Sequence, residues 1–202
     1  MDSFLAWNVR GLNRPNKRED IKCFLNKQDI VIVSLLETKV KKENIKGVAD
    51  RLFRGWSWVT NVEANPDVRI WQGKAYKIQV LSSSEQLIHC NANSQINSNS
   101  FFITFVYGLN QLQLRNSLWQ HLRTIATTTG EPWCILGDFN AVLKQEEQLV
   151  GEVVQHGEIK EFQSCTKDCD LQEIECAGAQ FTWMNKTVWS KIDRLFVNSL
   201  WY

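Results

Sequence analysis

The sequence predicts a mixed α/β fold in which strands from both halves of the chain form sheets covered by helices. Strand-like and helix-like segments alternate at both ends, short aromatic and β-branched segments lie between them, and polar residues follow several strands. The chain has 202 residues, of which 44% are apolar and 22% charged, enough for one fairly large core. No linker interrupts this pattern, so we expect residues 1–202 to form a single domain.

The chain begins with two predicted strand–helix pairs. Residues 3–9 have the composition of a short strand, and residues 16–27 carry apolar positions at helical spacing. The continuous apolar run of residues 29–38 predicts a strand that is buried on both faces. Residues 41–53 place their apolar side chains on one stripe, which predicts the second helix.

The remaining elements follow from the same patterns. The middle of the chain predicts antiparallel strands at residues 56–60, 68–71, 76–84, 86–90 and 101–108, with a polar loop at residues 91–100. The second half predicts a helix at residues 112–126, a strand at 133–136, a polar stretch at 144–157, a helix at 158–169 and strands at 171–174, 180–185 and 190–198.

Charge and cysteine content narrow the classes of function. The formal net charge is +1, so no global basic field indicates nucleic-acid binding, although residues 14–18 and 39–46 are locally basic. The six cysteines lack the spacing of a zinc site, which favours reduced and mostly buried thiols. Neither a signal-peptide pattern nor an apolar run of transmembrane length is present, so we expect an intracellular protein with no membrane partner.

Four predicted strands end in side chains that can bind a cation or a phosphate. They are Asn8, Glu37, Tyr107 with Asn110, and Asp138 with Asn140. Each has an ordinary explanation, because Asn and Asp are frequent in turns and a lone glutamate at a strand end is usually solvated. Four such ends in one α/β chain favour a ligand site, since ligands of these folds bind beyond the ends of the strands.

The chemistry of these side chains fits phosphate-ester hydrolysis. Glu37 is a hard oxygen donor of the kind that Mg²⁺ prefers, and Asn8 could assist at the metal or on a phosphate oxygen. An aspartate close to that metal could orient or deprotonate an attacking water. The phosphate could be held without added negative charge by the neutral donors Tyr107, Asn110 and Asn140.

Asp193 poses a separate question, because strand alternation places it on the apolar face of Leu195 and Val197. A carboxylate there is costly unless it is paired or hydrogen-bonded. We therefore expect a histidine or arginine partner from elsewhere in the fold. Arg194 points the other way by the same alternation.

Six segments in order carry a family resemblance: "WNVRGLN", "SLLETK", "FVYGLN", "ILGDFNAVL", "FTWMN" and "KIDRLFVN". From residue 4 to the last residue, the chain resembles the endonuclease/exonuclease/phosphatase family. More narrowly, it is similar to the N-terminal endonuclease domain of plant LINE-type (non-LTR) retrotransposons. The resemblance implies a four-layered, DNase I-like α/β sandwich of two mixed sheets flanked by helices. It also implies phosphodiester hydrolysis with Mg²⁺ or Mn²⁺, which in retroelements nicks chromosomal DNA.

The resemblance assigns roles at the metal and at the attacking water. Asn8 and Glu37 would lie at the metal, and Asn8 could also contact substrate. Asp138 would activate the water, and Asn140 would hold the phosphate or a metal-bound water beside it. The expected cofactor is therefore Mg²⁺ or Mn²⁺.

Further roles concern the substrate. Tyr107 and Asn110 match the family's Tyr-x-x-Asn, which contacts the scissile phosphate, and Trp183 of "FTWMN" would bind substrate. Asp193 would orient a catalytic histidine. The expected partner is DNA, contacted through its phosphate backbone, and we favour a monomer. A nuclear location follows only from the expected reaction.

The sequence departs from the family in two places. The family's domain ends in a Ser-Asp-His strand, which these residues lack, and none of His89, His121 and His156 matches its position. We therefore expect a missing terminal strand, an Asp193 that is either solvent-exposed or a buried neutral acid, and weak or no activity. In residues 65–76 the glycine of a Gly-x-Ile-Trp strand is replaced, and the following connection is shortened.

Three functions remain open on sequence alone. The chain is a DNA-nicking endonuclease domain of reduced activity, a non-catalytic remnant that binds DNA or protein, or a phosphatase of the same fold. The third function ranks last, because "WNVRGLN" and "FVYGLN" resemble the retroelement branch more closely.

Overall fold

The computed structural model describes residues 2–60, 68–151, 154–175 and 177–202. The chain divides into two compact units, Met1–Phe101 and Phe102–Tyr202. The single-domain interpretation stays a prediction. Of the two sequence departures above, the replaced glycine strand and its connection fall partly on residues 61–67, which lie outside the described residues.

The first unit contains a mixed sheet, a β-hairpin and two helices. Its elements are β1 (Ser3–Asn8), α1 (Pro15–Lys27), β2 (Ile30–Leu36), α2 (Ile45–Leu52), β3 (Ser57–Thr60), β4 (Val68–Gln72), β5 (Tyr76–Ser83) and β6 (Leu87–Ser94). The sheet has the order β1-β2-β4-β3, with β1 and β2 parallel and the other pairs antiparallel. The apolar run of β2 is almost fully buried, as a strand covered on both faces requires.

Two helices cover one face of this sheet. In α1 the apolar positions include Ile21 and Leu25, and in α2 they include Val48 and Leu52, which pack with Val33 of β2 in one core cluster. The predicted second helix starts late, because residues 42–44 form a 3₁₀ turn before α2 begins at Ile45. A second packing contact joins Phe4 of β1 to the ring of Phe101, with centroids 5.2 Å apart.

The hairpin of β5 and β6 corrects one prediction. Residues 91–100 were expected to be a loop, but β6 continues to Ser94 because its residues pair with β5 as far as Tyr76. Backbone pairing with a neighbouring strand therefore overrides the polar, turn-like composition of residues 91–94. Residues 95–99 alone connect β6 to the next strand.

The second unit has a mixed sheet, a small sheet and two helices. Its elements are β7 (Ser100–Tyr107, which begins in the first unit), α3 (Leu112–Thr128), β8 (Trp133–Asp138), β9 (Gln148–Leu149), α4 (His156–Asp168), β10 (Leu171–Glu173), β11 (Trp183–Asn185), β12 (Val188–Ser190) and β13 (Asp193–Asn198). The mixed sheet runs β10-β13-β8-β7, with only β7 and β8 parallel, and the small sheet runs β11-β12-β9.

An aromatic cluster joins the helices of the second unit to its mixed sheet. Trp119 of α3 stacks on Phe162 of α4 with centroids 4.6 Å apart, and Phe162 stacks on Phe139 at 5.2 Å. Phe196 of β13 meets Phe139 edge to face. Such rings bury large apolar areas and favour these offset and edge geometries. They fix the loop after β8, because Phe139 follows Asp138 directly.

The predicted fold class is confirmed. Each unit holds a mixed sheet with helices packed against it, as expected for an α/β fold of two mixed sheets. The five described cysteines are free thiols, and four of them are buried, as expected. Cys176 lies outside the described residues. In the described part of the chain, no helix is long and apolar enough to cross a membrane.

Candidate active site

The predicted site residues fall into two groups, one in each unit. In the second unit, three of them occupy neighbouring strands. Tyr107 pairs with Asp138 across the parallel strands β7 and β8, and Asp193 pairs with Asp138 across the antiparallel strands β13 and β8. Directly opposed residues project to the same face of a sheet. Tyr107, Asp138 and Asp193 therefore form one row, which we call the Asp138 row.

Two glycines allow the strand ends of this row to approach. A Cβ on Gly108 would lie 2.3 Å from the carbonyl oxygen of Phe139, and a Cβ on Gly137 would lie 2.0 Å from that of Val106. Gly137 also has a φ of 145°, which L-residues with side chains rarely adopt. The glycines beside Tyr107 and Asp138 are thus required by backbone contact.

Hydrogen bonds close the loops that follow β7 and β8. The N–H of Gly108 donates to the carbonyl of Asp138 (2.7 Å), and the side-chain amide of Asn140 donates to the carbonyl of Gly108 (2.6 Å). The Asp138 carboxylate accepts the N–H of Asn140 at 3.0 Å. Asn140 has a φ of 48°, in the left-handed region that asparagine tolerates. Asn140 therefore joins the two loops, while its predicted contact with phosphate stays a prediction.

Asp138 is almost completely buried, with an exposed fraction of 3%. Asp193 is partly buried, and its N–H donates to the hydroxyl of Thr182 at 3.0 Å. Asn110 is exposed at the start of the connection to α3. The expectation that Asp193 lacks its histidine, and the role given to each residue, remain predictions.

Arg115 of α3 is a functional candidate that the sequence analysis missed. One of its terminal nitrogens donates to the carbonyls of Leu109 and Asn110, each at 3.0 Å, and the other donates to Glu158. Burial lowers the pKa of Arg115, opposed by the attraction of Glu158 and Asp138. One signal was available: Arg115 lies on the buried stripe of α3, where a charged residue is costly without partners.

Trp183 packs near a cavity, through two residues, Val142 and Ile192, that line that cavity. It packs against the small apolar cluster of Val142, Ile159 and Ile192. The cavity has a volume of about 350 Å³, and its lining combines apolar side chains such as Val142 with the polar ends of Asn140 and Glu158. Its lining is more polar than that of a typical small-molecule site, which is mostly apolar. Substrate binding by Trp183 stays a prediction.

Arg194 supports this region from the opposite face of β13. Its fully buried guanidinium donates to Glu147 and Glu173, and it lies over the ring of Phe162. Burial opposes ionisation of Glu147, but the contacts with Arg194 and the N–H groups of Leu143 and Lys144 lower its pKa overall. These contacts tie the loop after Asn140 to β13 and β10.

The first unit carries the other two predicted residues, Asn8 and Glu37, at the ends of β1 and β2. Asn8 pairs with Leu36 in these parallel strands, and beyond them the N–H of Gly11 donates to the carbonyl of Glu37 at 2.7 Å. The Asn8 side chain accepts the N–H of Arg10 at 3.1 Å. The segments after β1 and β2 therefore remain hydrogen-bonded beyond the strands, which keeps Asn8 and Glu37 on neighbouring strand ends.

Lys39 and Arg69 contact the segment that contains Glu37. The ammonium of Lys39 lies 2.7 Å from one carboxylate oxygen of Glu37. The buried guanidinium of Arg69, on β4, donates to the Thr38 hydroxyl and, at 2.7 Å, to the Val40 carbonyl. The sequence analysis also missed Arg69, because a single arginine is usually a surface residue. Each unit thus uses a buried arginine to hold the loop behind a candidate residue.

The donor set of the first unit fits a hard divalent cation. A carboxylate and an amide oxygen are the ligands that Mg²⁺ prefers, with water completing its octahedron. Among the residues that the structure describes, no group of three or more His, Cys, Asp or Glu side chains is arranged to hold a metal. A cation bound by Glu37 and Asn8 alone would keep most of its water ligands.

The three histidines lie in different elements. His89 is buried in β6, His121 is in α3, and His156 begins α4. Burial lowers the pKa of His121. That none of them replaces the family's catalytic histidine stays a prediction.

Comparison with known protein families decides the classification. The Endonuclease/Exonuclease/phosphatase family model matches residues 5–202. The chain belongs to this family. The resemblance predicted from six sequence segments is therefore confirmed at the level of the family.

Solved structures of this fold include two endonucleases and one further catalytic domain. The endonuclease domain of TRAS1, a telomere-specific non-LTR retrotransposon, has a TM-score of 0.68 at 13% identity, over 96% of this chain and 82% of that one. The AP endonuclease LMAP from Leishmania major has a TM-score of 0.75 at 14% identity, over 97% and 78%. The human Nocturnin catalytic domain has a TM-score of 0.62 at 15% identity, over 96% and 81%. At these identities the likeness shows the fold. No curated protein sequence matches the chain.

Proposed function

We propose that this chain hydrolyses phosphodiester bonds in DNA with a divalent cation, Mg²⁺ or Mn²⁺, as the endonuclease domain of a non-LTR retrotransposon. The observation that carries the proposal is the Asp138 row, in which Asp138 lies between Tyr107 and Asp193 on neighbouring strands. Family membership over residues 5–202 supports hydrolysis of a phosphate ester. That this match runs through both units also supports a single domain.

In the proposed reaction Asp138 accepts a proton from a water molecule. The water oxygen attacks phosphorus, the bond to the 3′ oxygen breaks, and that oxygen takes a proton from solvent to become a 3′ hydroxyl. Tyr107 and Asn110 donate hydrogen bonds to phosphate oxygens, where negative charge increases in the transition state. Asn140 keeps the Tyr107 loop against Asp138 through the carbonyl of Gly108.

In the first unit, Glu37 and Asn8 would hold the cation. A cation held there would supply positive charge to offset the negative charge of a phosphate ester. Lys39 already contacts one oxygen of Glu37, so cation binding and this ion pair compete for the same carboxylate. Two observations support DNA as the substrate: six sequence segments resemble the endonuclease domain of non-LTR retrotransposons, and the fold is shared with the TRAS1 endonuclease domain.

The test is nicking of a supercoiled plasmid with Mg²⁺, with Mn²⁺ and with EDTA, by the unaltered chain and by Asp138→Ala. The proposal requires nicking that needs the cation and disappears in the variant. Equal background cleavage by both proteins would contradict it. A small phosphomonoester added as competitor separates a phosphatase, which would hydrolyse it, from a DNA endonuclease. Retention of plasmid without cleavage would indicate a DNA-binding remnant.

A further inference from the structure

Arg115 makes three polar contacts in the protein interior, where burying a positive charge is energetically unfavourable. Its exposed fraction is 3%, and it shares the buried face of α3 with Leu118, Trp119 and Leu122. Its Nε has no hydrogen-bond partner among the described residues. A buried ion pair with an unsatisfied donor contributes little net stability, so its presence favours a geometric role over a stabilising one.

The three contacts converge on the loop after Tyr107. One nitrogen of Arg115 donates to two successive carbonyls, those of Leu109 and Asn110, and the other donates to Glu158 of α4. The rigid, planar guanidinium places these donors in a fixed fork. The loop is fixed at its other end through Gly108, whose N–H and carbonyl are bound by Asp138 and Asn140. The peptide between Tyr107 and Asn110 is thereby held on both sides.

We propose that Arg115 is the positioning residue of this site: it fixes the Tyr107–Asn110 segment against the Asp138 row, with Glu158 holding the guanidinium in place. This inference rests on the proposed function for its catalytic consequence. That Arg115 fixes the loop after Tyr107 does not depend on the proposed function. Arg115 contacts backbone, so it acts on the reaction through Tyr107 and Asn110.

Arg115→Lys tests the inference, because a lysine keeps the charge but cannot bridge two carbonyls and a carboxylate. Arg123→Lys is the matched control: Arg123 lies on the same helix and pairs with Asp168, but it is not bonded to the loop. Hydrogen exchange is followed at the Gly108 amide and, for reference, in residues 133–138. Nicking is followed as kcat and KM for DNA.

The expected result for Arg115→Lys is exchange at Gly108 faster by about tenfold or more, with unchanged exchange in residues 133–138. Because Tyr107 and Asn110 lose their orientation, kcat is expected to fall by about tenfold to a hundredfold, while KM for DNA changes by less than about twofold. Arg123→Lys is expected to leave all of these values unchanged. Should Arg115→Lys fail to fold, Glu158→Gln, which removes the charge that holds the guanidinium, is expected to give the same pattern with smaller changes.

Three outcomes would overturn the inference. Unchanged exchange at Gly108 would show that the loop does not depend on Arg115. Faster exchange at Gly108 with unchanged kcat would show that the contacts of Arg115 do not position Tyr107 and Asn110 for the reaction. Equal effects of Arg115→Lys and Arg123→Lys would indicate general destabilisation of α3. If the unaltered chain does not nick DNA, the proposed function fails. The exchange comparison still shows whether Arg115 fixes the loop after Tyr107.

Discussion

Tyr107 and Asp138 are direct partners in the parallel pairing of β7 and β8, at the last residue of each strand. Both strands are therefore continuous up to the point where their polar side chains begin. Beyond them, the N–H of Gly108 donates to the Asp138 carbonyl, and the side-chain amide of Asn140 donates to the Gly108 carbonyl. The geometry of the Asp138 row thus depends on the sheet and on a few close contacts beyond it.

Those close contacts predict a steep cost for Gly108→Ala and Gly137→Ala. A methyl group at either position would meet a backbone carbonyl oxygen at 2.3 Å or 2.0 Å, and the backbone cannot move away without breaking the row. Each change should lower the free energy of unfolding by about 1–3 kcal/mol.

Urea unfolding measures this cost against a matched glycine. Gly47 lies in α2 with open space around it, so Gly47→Ala should raise the free energy of unfolding by about 0.4–1 kcal/mol. If Gly108→Ala were as stable as the unaltered chain, the backbone contact between the two loops would be looser than described.

Removing Lys39 is predicted to strengthen cation binding at Glu37. The ion pair that would be lost is partly exposed and is worth about 0.2–1 kcal/mol, so Lys39→Met should tighten Mn²⁺ binding by up to about fivefold. Glu37→Gln should weaken it, because an amide carries no charge.

The shift in melting temperature during a Mn²⁺ titration reports binding without relying on activity. Lys46→Met, at an exposed position of α2, is the control for the loss of one positive charge. A Mn²⁺ response that is the same in the unaltered chain and in Glu37→Gln would place the cation elsewhere.

Glu147 is predicted to stabilise the fold only above a certain pH. Its pKa in the folded protein is lowered from 4.5, so its stabilising contribution is complete above that value and is lost as the pH falls through the lower, folded pKa. Glu147→Gln should therefore lower the free energy of unfolding by about 1–3 kcal/mol at pH 7.

Urea unfolding of the unaltered chain and of Glu147→Gln at several pH values tests the direction of this pH dependence. The difference between them should stay constant from pH 7 to about 5.5 and shrink as the pH is lowered beyond about 4.5. A difference that grows on acidification would mean that Arg194 does not hold Glu147 in its charged form.

The sequence predicted the strands and their polar ends better than the contacts behind them. Strong patterns mark β2 and β8, because a strand buried on both faces needs an unbroken apolar run. The polar residues after such runs are visible for the same reason, and Asp138 was found in this way. In contrast, the pairing of β6 beyond Cys90 depends on a partner strand, which local composition does not reveal.

The buried arginines could not be assigned from pattern alone. A single arginine is usually a surface residue, so Arg69, Arg115 and Arg194 looked ordinary in sequence. Each is buried because carbonyls or carboxylates from distant segments accept its hydrogen bonds. Only the position of Arg115 on the apolar stripe of α3 gave a local sign of this role.

The role of Asp138 as the proton acceptor is tested by the single-turnover rate of DNA nicking. The unaltered chain is compared with Asp138→Asn, and Asp50→Asn, on the exposed face of α2, is the control. Asparagine keeps the oxygen that accepts the N–H of Asn140 but cannot take a proton from water. The rate is expected to be lower by about 10²- to 10⁴-fold for Asp138→Asn alone. Equal rates for all three proteins would contradict it.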